Sequence, residues 1–426
     1  MRFLLLPLII LGMGTGTNSA NAQVKPVLTA ADPSAMELKA RKIYERLTGT
    51  KLPADSPVVA QMVTFLNRGD VEGAAKIATA DDNFLNITVK LMALKLSTRD
   101  ETIKTDLNDM VAAVIGVTRD QRDARELLNG NFYYRGADNL TGVRSNLVAD
   151  ILLTNNHYID LEDKRVNLAK NLVRVNGQVI AVGDAATVAN PDPAGVLTSR
   201  AFQSAHTVMG TNRRLVEYTF REFMCVPLSE WADTGASDLR IGRDIDRFPG
   251  GDHNKFLTSC KGCHTVMDGF RGAFAKWEVN NNPAGIKHVD ANPHSNTSDA
   301  YTIIVDNSTG VIQKYNKNAN VFPAGYITRD DSWVNNAIRE KNANFFEWRG
   351  NALSGNGAKS FGTTVANSRR FSQCMAKRAY ETVCRKTFDE AKDLDKLKTW
   401  GVEFENSGYK LKSLFEKVAA KPGCLE

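Results

Sequence analysis

Two cysteines three positions apart, followed at once by a histidine, form the most restrictive stretch of the chain: Cys260-Lys261-Gly262-Cys263-His264. Chance places such a stretch in roughly one chain in a thousand of this cysteine and histidine content. Two thiols so spaced can serve one ligand only if the backbone between them turns as a helix, which puts them on one face. The C-x-x-C-H spacing is that of covalent haem attachment. Each thiol forms a thioether with one vinyl group, and His264 is then held under the iron as an axial ligand, a role that neutral imidazole fills well. Gly262 lets the backbone come close to the porphyrin edge. A thioredoxin-like redox pair needs a βαβ setting, and a zinc site needs a second ligand pair. Neither is evident in the sequence.

The ligand on the other face of the iron stays open. Met267 lies one turn after His264, on the same side of the ring. His206, Met209 and Met375 are the candidates, with Met224, His253, His288 and His294 behind them. Met375 also fits plain core packing, because it sits on an apolar helix face. An iron open to solvent is the remaining option. The choice matters because methionine raises the potential relative to histidine. Arg213, Arg214, Arg243 and Arg247 read either as partners for the haem propionates or as surface arginines. Asp244, Asp246 and Asp252 flank a Pro-Gly-Gly turn without the spacing of an EF-hand. Residues 354–360 imitate a phosphate loop but have Ala358 where that motif needs glycine.

Arg2, the apolar run 3–13 and Ala20-Asn21-Ala22 read as a signal peptide, removed near Ala22. The run is too short for a stable membrane anchor. The expected destination is the periplasm or the outside of the cell, and no later run is long and apolar enough for a membrane helix. In that oxidising setting the other four cysteines form an even set for two disulfides. Cys374 and Cys384 fall on one expected helix, about 15 Å apart along its axis, so they cannot bond each other. Cys384–Cys424 with Cys225–Cys374 is the first pairing, and free buried thiols are the alternative. The net charge of +6 is not gathered into the basic stripe that nucleic acid requires.

The expected fold class is mainly α. After the signal peptide at 1–22 comes a helical amino-terminal domain at 23–128, with helices over 36–47, 56–66, 70–79, 84–96 and 108–128 and a break at Gly116. A mixed middle region covers 129–240, with a hairpin over 173–182 around Asn176-Gly177 and helices over 197–205 and 213–225. A haem-binding, cytochrome c-like and carboxy-terminal helical region covers 241–426. It holds two strands near 301–315, a helix over 332–349, a glycine- and serine-rich loop over 351–362, and two closing helices over 368–385 and 409–420.

Cys260 to Phe270, followed by Phe274, Trp277 and Glu278, resembles the haem segment of the planctomycete-type cytochrome proteins, which are exported and carry domains of unknown function. Residues 195–198 and 223–225 resemble the stretch before that motif. Residues 368–384 and Ser407-Gly408-Tyr409 resemble the carboxy-terminal domain, and 36–135 the helical front more loosely. The separate amino-terminal cytochrome module of larger members is missing, and the usual Asp-Pro after the motif is Asp268-Gly269 here. The resemblance implies haem and export but supplies no reaction. The expected role is one-electron transfer by a monohaem c-type cytochrome with an unidentified redox partner protein. The alternatives are a haem enzyme with an open distal site, where His206 or His253 would serve as acid–base residue, and an envelope binding or sensor protein carrying haem.

Overall fold

Helices form along the front of the chain where apolar residues recur at helical spacing. Ala35–Thr48 buries Ala40, Ile43, Tyr44 and Leu47. Pro57–Leu66 opens on a proline, whose fixed φ and missing N–H suit a first turn. Asp70 caps Val71–Thr79 by accepting from the Gly73 N–H at 2.7 Å, and Asn108 caps Asp109–Arg119 through the Val111 N–H. This last helix is buried from Met110 to Thr118 and forms the middle of the front core. It runs straight through Gly116, and the expected break falls later, between Arg119 and Glu126–Asn129. Gly116 is there for packing: a Cβ would lie 2.3 Å from the Tyr134 ring.

The computed structural model describes residues 34–53, 55–182, 184–207, 212–281, 284–288, 305–306, 311–312, 322, 325–326, 328 and 330–426. The expected signal peptide, Met209, His294 and most of the expected strand pair near 301–315 lie outside them. Within them the chain is mainly helical with small antiparallel strand pairs. Ala35–Glu426 forms one compact unit. No helix among the described residues is long and apolar enough to cross a membrane.

The strands expected over 173–182 exist but do not pair with each other. Leu172–Asn176 pairs with Phe132–Gly136, and Val179–Val182 pairs with Ala186–Ala189. Gly177 turns the chain between two separate sheets, its N–H bonded to Asn131 O. The helix expected over 332–349 is a strand, Ser332–Val334, followed by a shorter helix, Glu340–Phe346. The strand pairs with Ser354–Asn356, so part of the expected loop is ordered ladder. The rest of that loop opens a helix, Gly357–Asn367. Its amino-terminal N–H groups are taken by a distant carboxylate: Asp192 accepts from Ala358 N–H at 2.6 Å and Lys359 N–H at 2.9 Å.

Three helices close the chain, not two: Arg369–Cys384, Glu390–Asn406 and Leu411–Ala419. The middle one escapes a sequence reading because it buries only Leu397, Trp400, Gly401 and Phe404 across seventeen residues. The last packs back on the front helices, with Phe415 edge-on to Phe84 at 5.3 Å and Thr79 bonded to Glu416 at 2.6 Å. Both expected disulfides are present, Cys225–Cys374 and Cys384–Cys424.

Candidate haem site

The motif lies where one helical geometry passes into another. A π-helical turn, Phe256–Cys260, runs directly into the α-helix Lys261–Phe270. The far half of this motif helix is fixed in the core. Phe270 packs on Phe220, Trp333 and Phe361 with ring centres 5.2–5.5 Å apart. Gly269 and Gly272 let the backbone lie on the strand Ser332–Val334, where Cβ atoms would come within 2.7 Å of Val334 O and 1.9 Å of Ser332 O. Gly269 therefore has a packing reason. Gly262 leans on the loop before the motif: its carbonyl accepts from Asp233 N–H at 3.0 Å, and a Cβ would stand 3.2 Å from Thr234 Cγ2.

The near half of the helix is left at the surface. Cys260 and Cys263 are half-buried free thiols, while the other four cysteines are bonded. Burial pushes the Cys263 thiol up, with Cys260 and Glu217 adding to it. Thiol–disulfide catalysis favours the opposite, a lowered thiol. His264 is partly exposed, and its Nδ1 faces Asp268 Oδ1 at 3.4 Å. With a proton on Nδ1 directed at the carboxylate, Nε2 is the ring nitrogen free to bind a metal.

Asp268 is fully buried and anchors a charged network. Arg213 donates Nε to Oδ1 at 2.5 Å and Nη2 to Oδ2 at 2.7 Å, and Gly242 N–H donates to Oδ2 at 2.9 Å. Arg213 also holds Asp244, which Arg271 approaches at 3.5 Å. Burial opposes the charged carboxylate, but Arg213, Arg271 and His264 together keep Asp268 well below the usual range. Arg213 is thus committed to Asp268 and Asp244 rather than free for a propionate. Arg247 is spent on the carbonyls of Ile241, Gly242 and Ile245. Asp246 and Asp252 cap Phe248 and Asn254 N–H groups, which disperses the carboxylates of the loop considered for calcium.

The remaining iron-ligand candidates are spread apart. His206 is completely buried, edge-on to Phe202 and stacked on Tyr218 at 4.1 Å. Among the described residues, neither of its ring nitrogens has a hydrogen-bond partner. Burial, with Arg214, Arg99 and Arg221 nearby, lowers its pKa to about 3. His206 and the motif helix both pack on the bridging helix Arg213–Met224. Residues advance by about 100° each along a helix, so Tyr218, under His206, and Arg213, on Asp268, point about 140° apart around it, toward well-separated sides. Met375 is buried beside Cys374 in the core. His253 is held by Arg247 O at 2.7 Å and flanked by Phe248 and Phe256.

The donor set suits haem, which needs two free thiols, one oriented imidazole and apolar cover. Leu239, Ile338 and Leu353 are exposed although large and apolar. Asn336 bonds Ser237 O at 3.3 Å and Thr265 O at 2.9 Å, and Asn335 N–H bonds Leu353 O at 2.8 Å. The segments carrying these side chains are therefore tied beside the motif helix. Asp268 was legible in principle, because it lies four residues after His264 and so on the same helix face. Arg213 and Asp244 come from distant segments and read as candidates for other roles, and no local pattern links them to Asp268. A separate cleft of about 530 Å³ opens among the closing helices. Both of its carboxylates are paired, Glu347 with Arg369 and Glu405 with Arg349. Set against known proteins, the chain matches no family profile, no curated protein and no solved structure.

Proposed function

We propose that this protein is an exported monohaem c-type cytochrome whose role is one-electron transfer. Cys260 and Cys263 attach the haem, and His264 binds the iron through Nε2. One observation carries the reading: four cysteines are consumed in two disulfides, as an oxidising compartment requires, while the C-x-x-C-H pair remains as thiols beside an oriented imidazole. Haem bound there supplies reversible one-electron iron chemistry. The chain holds His264 in one orientation through Asp268, and apolar Leu239, Ile338 and Leu353 offer cover for a macrocycle. The disulfides and the amino-terminal segment support export. The region from 241 onward then acts as the cytochrome c-like unit, and the resemblance to planctomycete-type cytochrome proteins belongs to the same proposal.

The test is the spectrum of the protein purified from a cell that attaches haem outside the cytoplasm. Haem that stays with the chain through denaturation, and is lost from a Cys260→Ala/Cys263→Ala variant, is the expected result. Haem retained by that variant through denaturation refutes the attachment. His206, buried and without a hydrogen-bond partner among the described residues, favours a second reading, in which a histidine near the bridging helix takes part at the iron. Carbon monoxide separates the cases: a closed, six-coordinate iron resists it, whereas the open site of an enzyme or sensor binds it at once.

A further inference from the structure

Asp268 has about four lone-pair positions, and each receives a donor. Arg213 Nε and His264 Nδ1 share Oδ1, while Arg213 Nη2 and Gly242 N–H share Oδ2. A carboxylate so fully engaged cannot rotate, and the nitrogen it faces keeps one orientation. The sharing is unequal. The contacts from Arg213 are 2.5 and 2.7 Å, and that from His264 is 3.4 Å. Arg213 takes most of the negative charge and is itself drawn toward Asp244. The carboxylate's effect on His264 is thereby set by a residue on another helix.

The geometry points to Asp268 as a positioning residue for His264, with Arg213 limiting how much of its negative charge reaches the imidazole. This rests on the haem reading. Hydrogen bonding of a metal-bound imidazole to a carboxylate makes the ring a stronger donor, and a stronger donor favours the oxidised iron. Arg213 holds that effect at an intermediate level. A purely structural ion pair would have no such consequence.

The midpoint potential reads this directly. Asp268→Asn keeps the shape and removes the charge. Its potential should rise, by a shift on the order of tenfold in the reduced-to-oxidised ratio, which is 59 mV for a one-electron couple. Arg213→Lys keeps a cation but loses the paired N–H fork, releasing charge toward His264, so its potential should fall. Asp244→Asn releases Arg213 toward Asp268 without touching His264, so its potential should rise, but by less than that of Asp268→Asn. Equal shifts in Asp268→Asn and Asp244→Asn, or no shift in Asp268→Asn, overturn the proposal. Should Asp268→Asn fail to fold, Arg213→Lys decides alone: a fall supports the assignment and an unmoved potential overturns it. A wild-type chain without covalent haem refutes the haem reading itself, so the two failures are distinguishable.

Discussion

Cys374 is bonded to Cys225 and pins the carboxy-terminal end of the bridging helix to the first closing helix. The bond spans 149 positions of sequence. Arg370 and Arg378 stand four residues to either side of Cys374, on the same helix face. Arg370 donates to Met224 O at 2.9 Å, and Arg378 donates to Glu222 O at 2.7 Å and Arg221 O at 3.0 Å. These carbonyls end the bridging helix and lack partners of their own within it, and cations are favoured there. The opposite end of that helix carries Arg213. One helix thus connects a disulfide anchor to the carboxylate behind His264.

Removing each disulfide by paired Cys→Ala changes should destabilise the protein unequally. Loop closure predicts roughly 3–5 kcal/mol for long loops such as Cys225–Cys374. Cys384–Cys424 spans 40 positions, and the logarithmic dependence makes its loss about 1 kcal/mol smaller. Urea unfolding of the two variants should preserve that order. A larger loss from the shorter loop contradicts it.

Arg370 is fully buried, and Glu390 is its charged partner at 2.6 Å. Arg370→Met keeps the stem and removes the cation. Four groups then lose a donor: Met224 O, Cys225 O, Gln373 Oε1 and Glu390. Breaking a buried pair from one side costs roughly 3–5 kcal/mol, and Lys377, which also holds Glu390, should bring the loss to the lower end of that range. The denaturation midpoint should move by a comparable amount, and a shift under about 1 kcal/mol shows that the capping contributes little.

Asp192 replaces a local cap at the helix Gly357–Asn367. Asp192→Ala removes both acceptors and should cost about 1–2 kcal/mol, the usual loss for a helix cap. Asp192→Asn keeps one oxygen and should cost less. Equal losses in the two variants exclude a capping role.

The motif, the cysteine pairing and the front helices were legible because each depends on local spacing or a simple reach argument. Cys374 and Cys384 share a helix, and the rise along its axis alone keeps their sulfurs apart, which removes one pairing. Apart from the sparsely buried helix Glu390–Asn406, the failures share a cause, a distant partner. Gly116 reads as a helix break until Tyr134 is found against it. Asn176-Gly177 reads as a hairpin turn until Phe132–Gly136 takes one strand and Ala186–Ala189 the other. The glycines at 355, 357 and 362 read as a loop. In the fold Gly362 lets a helix approach Leu128 O, where a Cβ would stand 1.9 Å away. At the site, His264 was readable and the Arg213–Asp244 part of its support was not.

Glu222 gives a test with a definite sign. Its side chain is fully buried, and burial lifts the carboxyl to about 8 against the pull of Arg378, 2.7 Å away. An unfolded glutamate titrates near 4.5. Between these values the folded chain keeps a proton that the unfolded chain releases, so this group's contribution to stability is full below pH 4.5 and is lost as pH rises toward 8. His206 and Asp268 act on the acid side. Both are lowered on folding, so their contributions are present at higher pH and are lost as pH falls below the unfolded values. Glu222→Gln removes only the first effect. Unfolding free energies of variant and wild type, measured in urea from about pH 5 to about pH 8, should diverge in the variant's favour as pH rises. The gap should reach a few kcal/mol at the upper end, given about 1.4 kcal/mol for each pH unit that separates the folded from the unfolded titration. A constant difference across that range means that Arg378 keeps Glu222 ionised in the folded state throughout.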